Sequence, residues 1–345
     1  MTAASVAQRP AGIRLTRDIR IAISAVVFVA IFYVLIGPQQ VANALTLGAI
    51  YALIALGYTM VYGIIELINF AHGDVFMIGA FVSMQLLLKA LLPIFGIEAP
   101  FAIHNLPLLV VILAITFVVT MLVMGVVGVT IERFAYRPLR NAPRVAPLIT
   151  AIGVSFILQN IALILFGPAS NNFPQLIDPN AHADLAGASI AYVNIFIVVL
   201  AVVLMVALQM FVSRTRLGRA MRSTAQDRDA AQLMGVDLNQ TIAVTFFIGS
   251  ALAGAGGVVQ GLYLGSVRWD LGFNAGLKAF TAAVLGGIGN TTGAALGGFV
   301  IGFIEVAAAS KGYSRWSEAI VFTVLIGVLV FRPAGLLGQQ LGERA

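Results

Sequence analysis

The sequence predicts an all-α fold, a polytopic inner-membrane helical bundle of about 8–10 transmembrane segments. It also predicts a broken helix near residues 286–290. Composition gives the class: 60% of the 345 residues are hydrophobic, 10% are charged, and the mean hydropathy is +1.00. Soluble domains carry about 25% charged residues. The arginines give the topology, since thirteen of the 20 Lys and Arg residues fall in three short segments. These hold Arg9, Arg14, Arg17 and Arg20, then Arg133, Arg137, Arg140 and Arg144, then Arg214, Arg216, Arg219, Arg222 and Arg228. Basic residues that flank membrane spans stay on the cytoplasmic side. Glycine, at 35 residues, suits helices packed closely in a bilayer.

A bilayer core is crossed by about 20 apolar residues in helical form. In order, the candidate spans are 21–37, 41–64, 74–92, 106–131, 145–166, 189–212, 241–265, a long region 276–308, and 317–332. Four arginines before "IAISAVVFVAIFYVLIG" resemble a secretory signal. The apolar run is nevertheless as long as a span, and Gly37-Pro38-Gln39-Gln40 lacks a small-residue cleavage pattern, so it reads as a retained first helix. The loops 93–105 and 167–189 contain no Lys or Arg, which places them outside. Within 276–308 the run "LGGIGNTTGAALGG" holds Gly286, Gly287, Gly289 and Asn290, all poor helix formers. A break there gives about ten segments, with the N-terminus and the C-terminus both cytoplasmic; Arg332 and Arg344 favour this count. The chain then divides into a cytoplasmic tail 1–20, one transmembrane domain 21–335 with a cytoplasmic loop 213–240, and a tail 336–345.

Several chemistries are excluded. Cysteine is absent, so no disulfide or thiolate is available. His72, His104 and His182 make no i, i+4 ligand pair, so neither a metal nor a cofactor is expected. No aromatic residues interleave with the arginines as a nucleic-acid surface would need. Gly249-Ser250 lacks a nucleophile context and no aspartyl dyad is present, which removes an intramembrane protease. The chain has no G-x-x-x-x-G-K-[ST] loop, and "GGIGNTTG" is not a dinucleotide fingerprint.

Two segments carry the functional signal. In "GIIELINFAHGDVFMIGAF", Gly63 to Phe81, the polar residues Glu66, Asn69, His72 and Asp74 cluster between apolar runs. A charge at the bilayer centre costs at least about 2.5–3.5 kcal/mol, so these groups do not face lipid. The expected geometry is a helix ending near Ile65, a polar connection through Gly73, and a new helix starting at Asp74. Asp74 is then either the N-cap of that helix or, with Glu66, Asn69, His72 and Gly73, part of a substrate pathway or inner gate. The second segment is "SRTRLGRAMRSTAQDRDAAQLMGVDLNQ", residues 213–240. Ala220, Met221, Ala230, Ala231, Leu233 and Met234 give it apolar faces among charges, suited either to a cytoplasmic partner or to anionic membrane lipid. Small-residue ridges follow, at Gly257, Gly261 and Gly265, at Gly293 and Gly297, and at Gly298 and Gly302. Each is read as helix packing.

The stretch "TLGAIYALIALGYTMVYGIIELINFAHGDVFMIGAF" resembles the signature of permease subunits in ABC importers for branched-chain amino acids. It is most similar to the first of the two homologous permeases of the leucine/isoleucine/valine system. "LGRAMRSTAQDRDAAQLMGVDLNQT" and "AFTAAVLGGIGNTTGAALGGFVIGFIE" resemble later blocks of that family, and the similarity spans roughly residues 40–335. The resemblance implies a second homologous permease subunit, two cytoplasmic ATPase subunits and a periplasmic substrate-binding protein. It also implies that Asp229-Ala230-Ala231 with Gly235 match the coupling pattern E-A-A-x-x-x-G, with Asp in place of Glu. Gly218 and Arg219 open a short helix at 218–235 that would seat in the ATPase, while the later L-P of the pattern is missing. Leucine, isoleucine and valine are the implied solutes, with urea, short amides or another amino acid next. An ion-coupled secondary transporter using Glu66, Asp74, Lys278 or Glu305, and a purely structural subunit, are the competing classes.

Overall fold

The computed structural model describes residues 17–338 except 68, 100, 141, 144, 186 and 333, with side chains from residue 24 onward. Arg9, Arg14, Arg144 and Arg344, and most of both tails, lie outside the described residues. The helices are α1 (Arg17–Ile36), α2 (Pro38–Ile65), α3 (His72–Leu86), α4 (Leu92–Ile94), α5 (Leu106–Ile131), α6 (Val145–Phe166) and α7 (Tyr192–Arg214). They continue with α8 (Arg216–Gln226), α9 (Arg228–Leu233), α10 (Leu238–Leu264), α11 (Leu271–Gly286), α12 (Thr291–Ser310) and α13 (Ser317–Phe331). A π turn at Leu87–Leu91 joins α3 to α4 in one span. Another at Glu132–Tyr136 extends α5. Among the described residues, eight helices are long and apolar enough to cross a membrane.

The helix starts follow local chemistry. Pro38 opens α2 behind Gly37, where its missing N–H is no loss. Asn105 caps α5 by accepting from the Leu108 N–H, Asp237 caps α10 through Asn239 and Gln240, and Asn290 caps α12 through Gly293. α2 and α10 form the centre, with 89% and 78% of their apolar windows buried, against 17% for α7 and 11% for α13. Outward side chains such as Val34, Ile164 and Phe331 are more than four-fifths exposed. Lipid solvates them as well as a protein core would.

Gly287 and Gly289, at φ 106° and 85°, turn the chain between α11 and α12. Those angles favour glycine. The long apolar region is therefore two antiparallel helices, the first beginning at Leu271 and too short, at 16 residues, to cross a bilayer alone. Gly293 and Gly297 lie on the Gly286 and Ala282 carbonyls, and Gly298 and Gly302 on the Ala52 and Gly48 backbone of α2. The first ridge is divided among different neighbours. Gly257 packs on the backbone of α3 at Phe76 and Ala80, Gly261 receives the Phe173 ring, and Gly265 ends α10 in a left-handed turn at φ 65°.

The two ends of the bundle differ. One carries α8, α9, the end of α2 and the start of α10, where Arg137 and Arg140 donate to Asn239 Oδ1 and Arg140 also pairs with Glu132. The other carries the strands β1 (Asn171–Asn172), β2 (His182–Leu185), β3 (Ala188–Ala191) and β4 (Ser266–Val267). There β1 pairs antiparallel with β4, and β2 with β3.

Candidate functional site

α2 stops at Ile65 because Glu66 adopts the left-handed conformation at φ 54°, with its N–H returning to the Tyr62 carbonyl at 2.8 Å. Glu66 is exposed, whereas Asn69 is buried and its Oδ1 accepts from the Tyr136 hydroxyl at 3.0 Å. The new helix begins at His72, two residues earlier than the sequence suggests, and Ala71 stands at its N-cap without a side-chain bond. The His72 ring lies on Gly57 and meets the Tyr58 ring edge-on at 4.6 Å. Gly57 is eight residues before Ile65, about 12 Å along the helix. The connection thus climbs back into the bundle, and α3 starts at mid-depth. Irregular backbone at that depth is tolerated only where protein buries it.

Asp74 is not an N-cap. It sits in the first turn of α3 and turns its carboxylate sideways, accepting from Ser155 Oγ at 2.5 Å and Gln159 Nε2 at 3.1 Å. Both partners lie in the middle of α6. The first-turn N–H groups of α3 supply partial positive charge near it, and among the described residues no Lys or Arg pairs with it. Gly73 packs against Gly272 and Gly276, so the starts of α3 and α11 touch. Neither ring nitrogen of His72 has a hydrogen-bond partner among the described residues. A void of about 10 Å³ beside Asn69, Tyr58 and Phe280 has room for about one water.

A larger cavity lies elsewhere, toward the strand-bearing end. It has a volume of about 370 Å³ and is lined by Tyr51, Ser170, Gln260, Leu264, Ser266, Arg268, Asp270, Leu271, Asn274, Ala275 and Lys278. None of Glu66, Asn69, His72, Gly73 or Asp74 reaches it. Lys278 donates to Glu305 Oε1 at 2.7 Å, and the Tyr51 hydroxyl donates to Oε2 at 2.8 Å. From the sequence, Lys278 and Glu305 stand as separate candidates for ion coupling, and the structure joins them in one pair. A Lys and a Glu inside apolar runs are in themselves a signal of a buried pair.

At the opposite end the hydrophilic segment is two helices rather than the single helix 218–235. The Thr215 hydroxyl caps α8 through Gly218, whose Cα lies against the carbonyls of Phe211 and Val212 with no room for a Cβ. Asp227 breaks the helix and caps α9 by accepting from the Ala230 N–H at 3.0 Å. Ala231 is buried, while Arg219, Asp229 and Ala230 are exposed. Leu233 and Met234, at 89% and 84% exposure, form an apolar tip. The Val236 N–H then closes on the Ala231 carbonyl, with Gly235 at φ 84°. Arg228 reaches from α9 to the Ile64 carbonyl at 3.2 Å.

A helical bundle with buried irregular backbone, a polar cavity and a hydrophilic segment at one end defines a multi-pass membrane transport protein. A sequence profile described as "Branched-chain amino acid transport system / permease component" matches residues 40–329, and the chain belongs to that family. It is 43% identical to the "High-affinity branched-chain amino acid transport system permease protein BraD" of Pseudomonas aeruginosa, over 89% of this chain and 97% of that protein. Identity is 41%, with the same coverage, to the "High-affinity branched-chain amino acid transport system permease protein LivH" of Escherichia coli strain K12. It is 27%, over 86% of this chain and 91% of the relative, to the "Probable branched-chain amino acid transport permease protein LivH" of Methanocaldococcus jannaschii. No solved structure matches the chain. The chain is a permease subunit of the ABC importer class, and its role is transport rather than enzymatic catalysis.

Proposed function

We propose that this chain is the first of two homologous permeases in an ATP-driven importer that moves leucine, isoleucine and valine across the bacterial inner membrane. Its partners are a second permease, two cytoplasmic ATPase subunits and a periplasmic binding protein. Both termini and residues 213–240 face the cytoplasm. The observation that carries this reading is the apolar tip at Leu233 and Met234, on a segment whose Arg228 holds the end of α2. Exposed apolar side chains ringed by charges mark a protein contact. In this reading Gly218, Arg219, Asp229, Ala230, Ala231 and Gly235 shape the docking element. A push on it travels through Ile64 to the connection at Glu66, Asn69, His72, Gly73 and Asp74, which acts as the gate.

The test is uptake of labelled leucine by vesicles holding this chain, the second permease and the two ATPase subunits, with binding proteins for branched-chain amino acids, urea and other solutes supplied in turn. ATP-dependent uptake of leucine with the matching binding protein supports the reading. Uptake that follows an ion gradient without ATPase subunits would overturn it. Access of an external, membrane-impermeant reagent to residue 233 in intact cells would overturn the orientation.

A further inference from the structure

The cavity of about 370 Å³ is lined by the charged residues Arg268, Asp270 and Lys278, and Glu305, bonded to both Lys278 and Tyr51 of that lining, stands directly behind it and balances the charge. At its floor Lys278 pairs with Glu305, both side chains less than one-fifth exposed, and at its mouth Arg268 pairs through both oxygens with Asp270. Asp270 immediately precedes α11 and Lys278 lies eight residues further, about 12 Å along the axis. Between the pairs, the amides of Gln260 and Asn274 face the cavity and make no hydrogen bond among the described residues. Stability does not require the floor pair, because well-packed apolar residues hold such positions at least as well. Its form therefore points to recognition.

An α-amino acid carries an ammonium and a carboxylate on one carbon, so it is a compact dipole. A cation and an anion set side by side can meet both ends at once. A bare anion at this floor would be repelled by Glu305, and a bare cation by Lys278. The Lys278 ammonium has three N–H donors and the Glu305 carboxylate about four acceptor positions, so each keeps capacity beyond the mutual bond and that from Tyr51. Leu264, Leu271 and Ala275 give the same cavity an apolar wall for an aliphatic side chain.

We propose that this cavity is a transit site for a zwitterionic α-amino acid, which lays its carboxylate on Lys278 and its ammonium on Glu305. The inference rests on the import function proposed above. With no net charge, the site exerts no long-range pull on its guest and releases it readily, as passage demands.

The whole importer in vesicles provides the test, with uptake normalised to the amount of chain in the membrane. Lys278→Met should lower leucine uptake about tenfold or more, the loss expected for a charge-assisted hydrogen bond. The exchange Lys278→Glu with Glu305→Lys, which keeps a neutral pair, should recover most of it. Because the chain has no cysteine, Asn274→Cys also supplies a single thiol whose modification by a membrane-impermeant thiosulfonate should slow while leucine is being carried. Equal uptake by Lys278→Met and the unmodified chain, failure of the exchange to restore a variant present at normal levels, or labelling indifferent to leucine would each overturn the site. If the unmodified complex carries urea but no amino acid, the import reading itself falls and takes this one with it.

Discussion

Arg228 Nη2 donates to the Ile64 carbonyl at 3.2 Å, joining the first turn of α9 to the last turn of α2. The carbonyls of a final helical turn lack intrahelical partners and carry the negative end of the helix dipole, so a guanidinium there is doubly favoured. One residue past Ile65 the chain enters the connection that leads to His72 and Asp74. A displacement of α9 therefore has a direct bond through which to act on it.

Arg228→Ala removes that bond. A hydrogen bond with one charged partner contributes about 1.5–3 kcal/mol, enough to shift a two-state coupling by tenfold or more. Solute-stimulated ATP hydrolysis by the reconstituted importer should fall about that far, while the chain still reaches the membrane. Stimulation equal to the unmodified complex would show that motion passes by another route.

Leu233 and Met234 touch almost nothing within the chain, so replacing both with Asp should leave its stability within about 0.5 kcal/mol. Co-purification with the ATPase subunits should be lost. Gly235 separates a second effect: a Cβ there meets no neighbouring atom, but φ 84° strains any branched residue. Gly235→Val should weaken stimulation of hydrolysis more than assembly. Intact co-purification of the double Asp variant would remove the docking role from this tip.

The spans were legible because an apolar run of bilayer length has few alternatives, and the turn at Gly287 and Gly289 because glycine clusters resist helix. The polar joint was visible at Glu66, Asn69, His72 and Asp74, but its depth was not. That depth depends on Gly57 offering His72 a place without a side chain, a contact between different helices. Ser155 and Gln159 were missed although they stand one helical turn apart in a mostly apolar run, a spacing that puts both on one face. The cavity was hidden for another reason. Tyr51, Gln260 and Lys278 lie on α2, α10 and α11, and nothing local in the sequence joins them.

Asn69 and His72 should respond differently when changed singly. Asn69→Ala breaks the bond to the buried Tyr136 hydroxyl, costing about 0.5–1.5 kcal/mol, and should lower the amount of folded chain. His72→Ala loses no hydrogen bond but removes a ring packed on Gly57 and Tyr58. Transport should slow more than expression falls. Normal uptake by His72→Ala would reduce the joint to a structural turn.

Asp74 offers the sharpest contrast. Its carboxylate takes bonds from Ser155 and Gln159, tying the start of α3 to the centre of α6. Asp74→Leu would leave the Ser155 hydroxyl buried without its acceptor, at about 1–3 kcal/mol, and the Gln159 amide with only its 3.2 Å bond to Ser155 Oγ, so it should lower the melting temperature of the detergent-purified chain. Asp74→Asn keeps the shape and one acceptor oxygen, so its loss of stability should be smaller. What it removes is the negative charge beside the first turn of α3, worth about 0.3–1 kcal/mol at a helix start and up to about 2 when partly buried. If that charge holds α3 in register as the gate moves, Asp74→Asn should lose transport out of proportion to its stability. Proportional loss in the two variants would mean that the carboxylate serves packing alone.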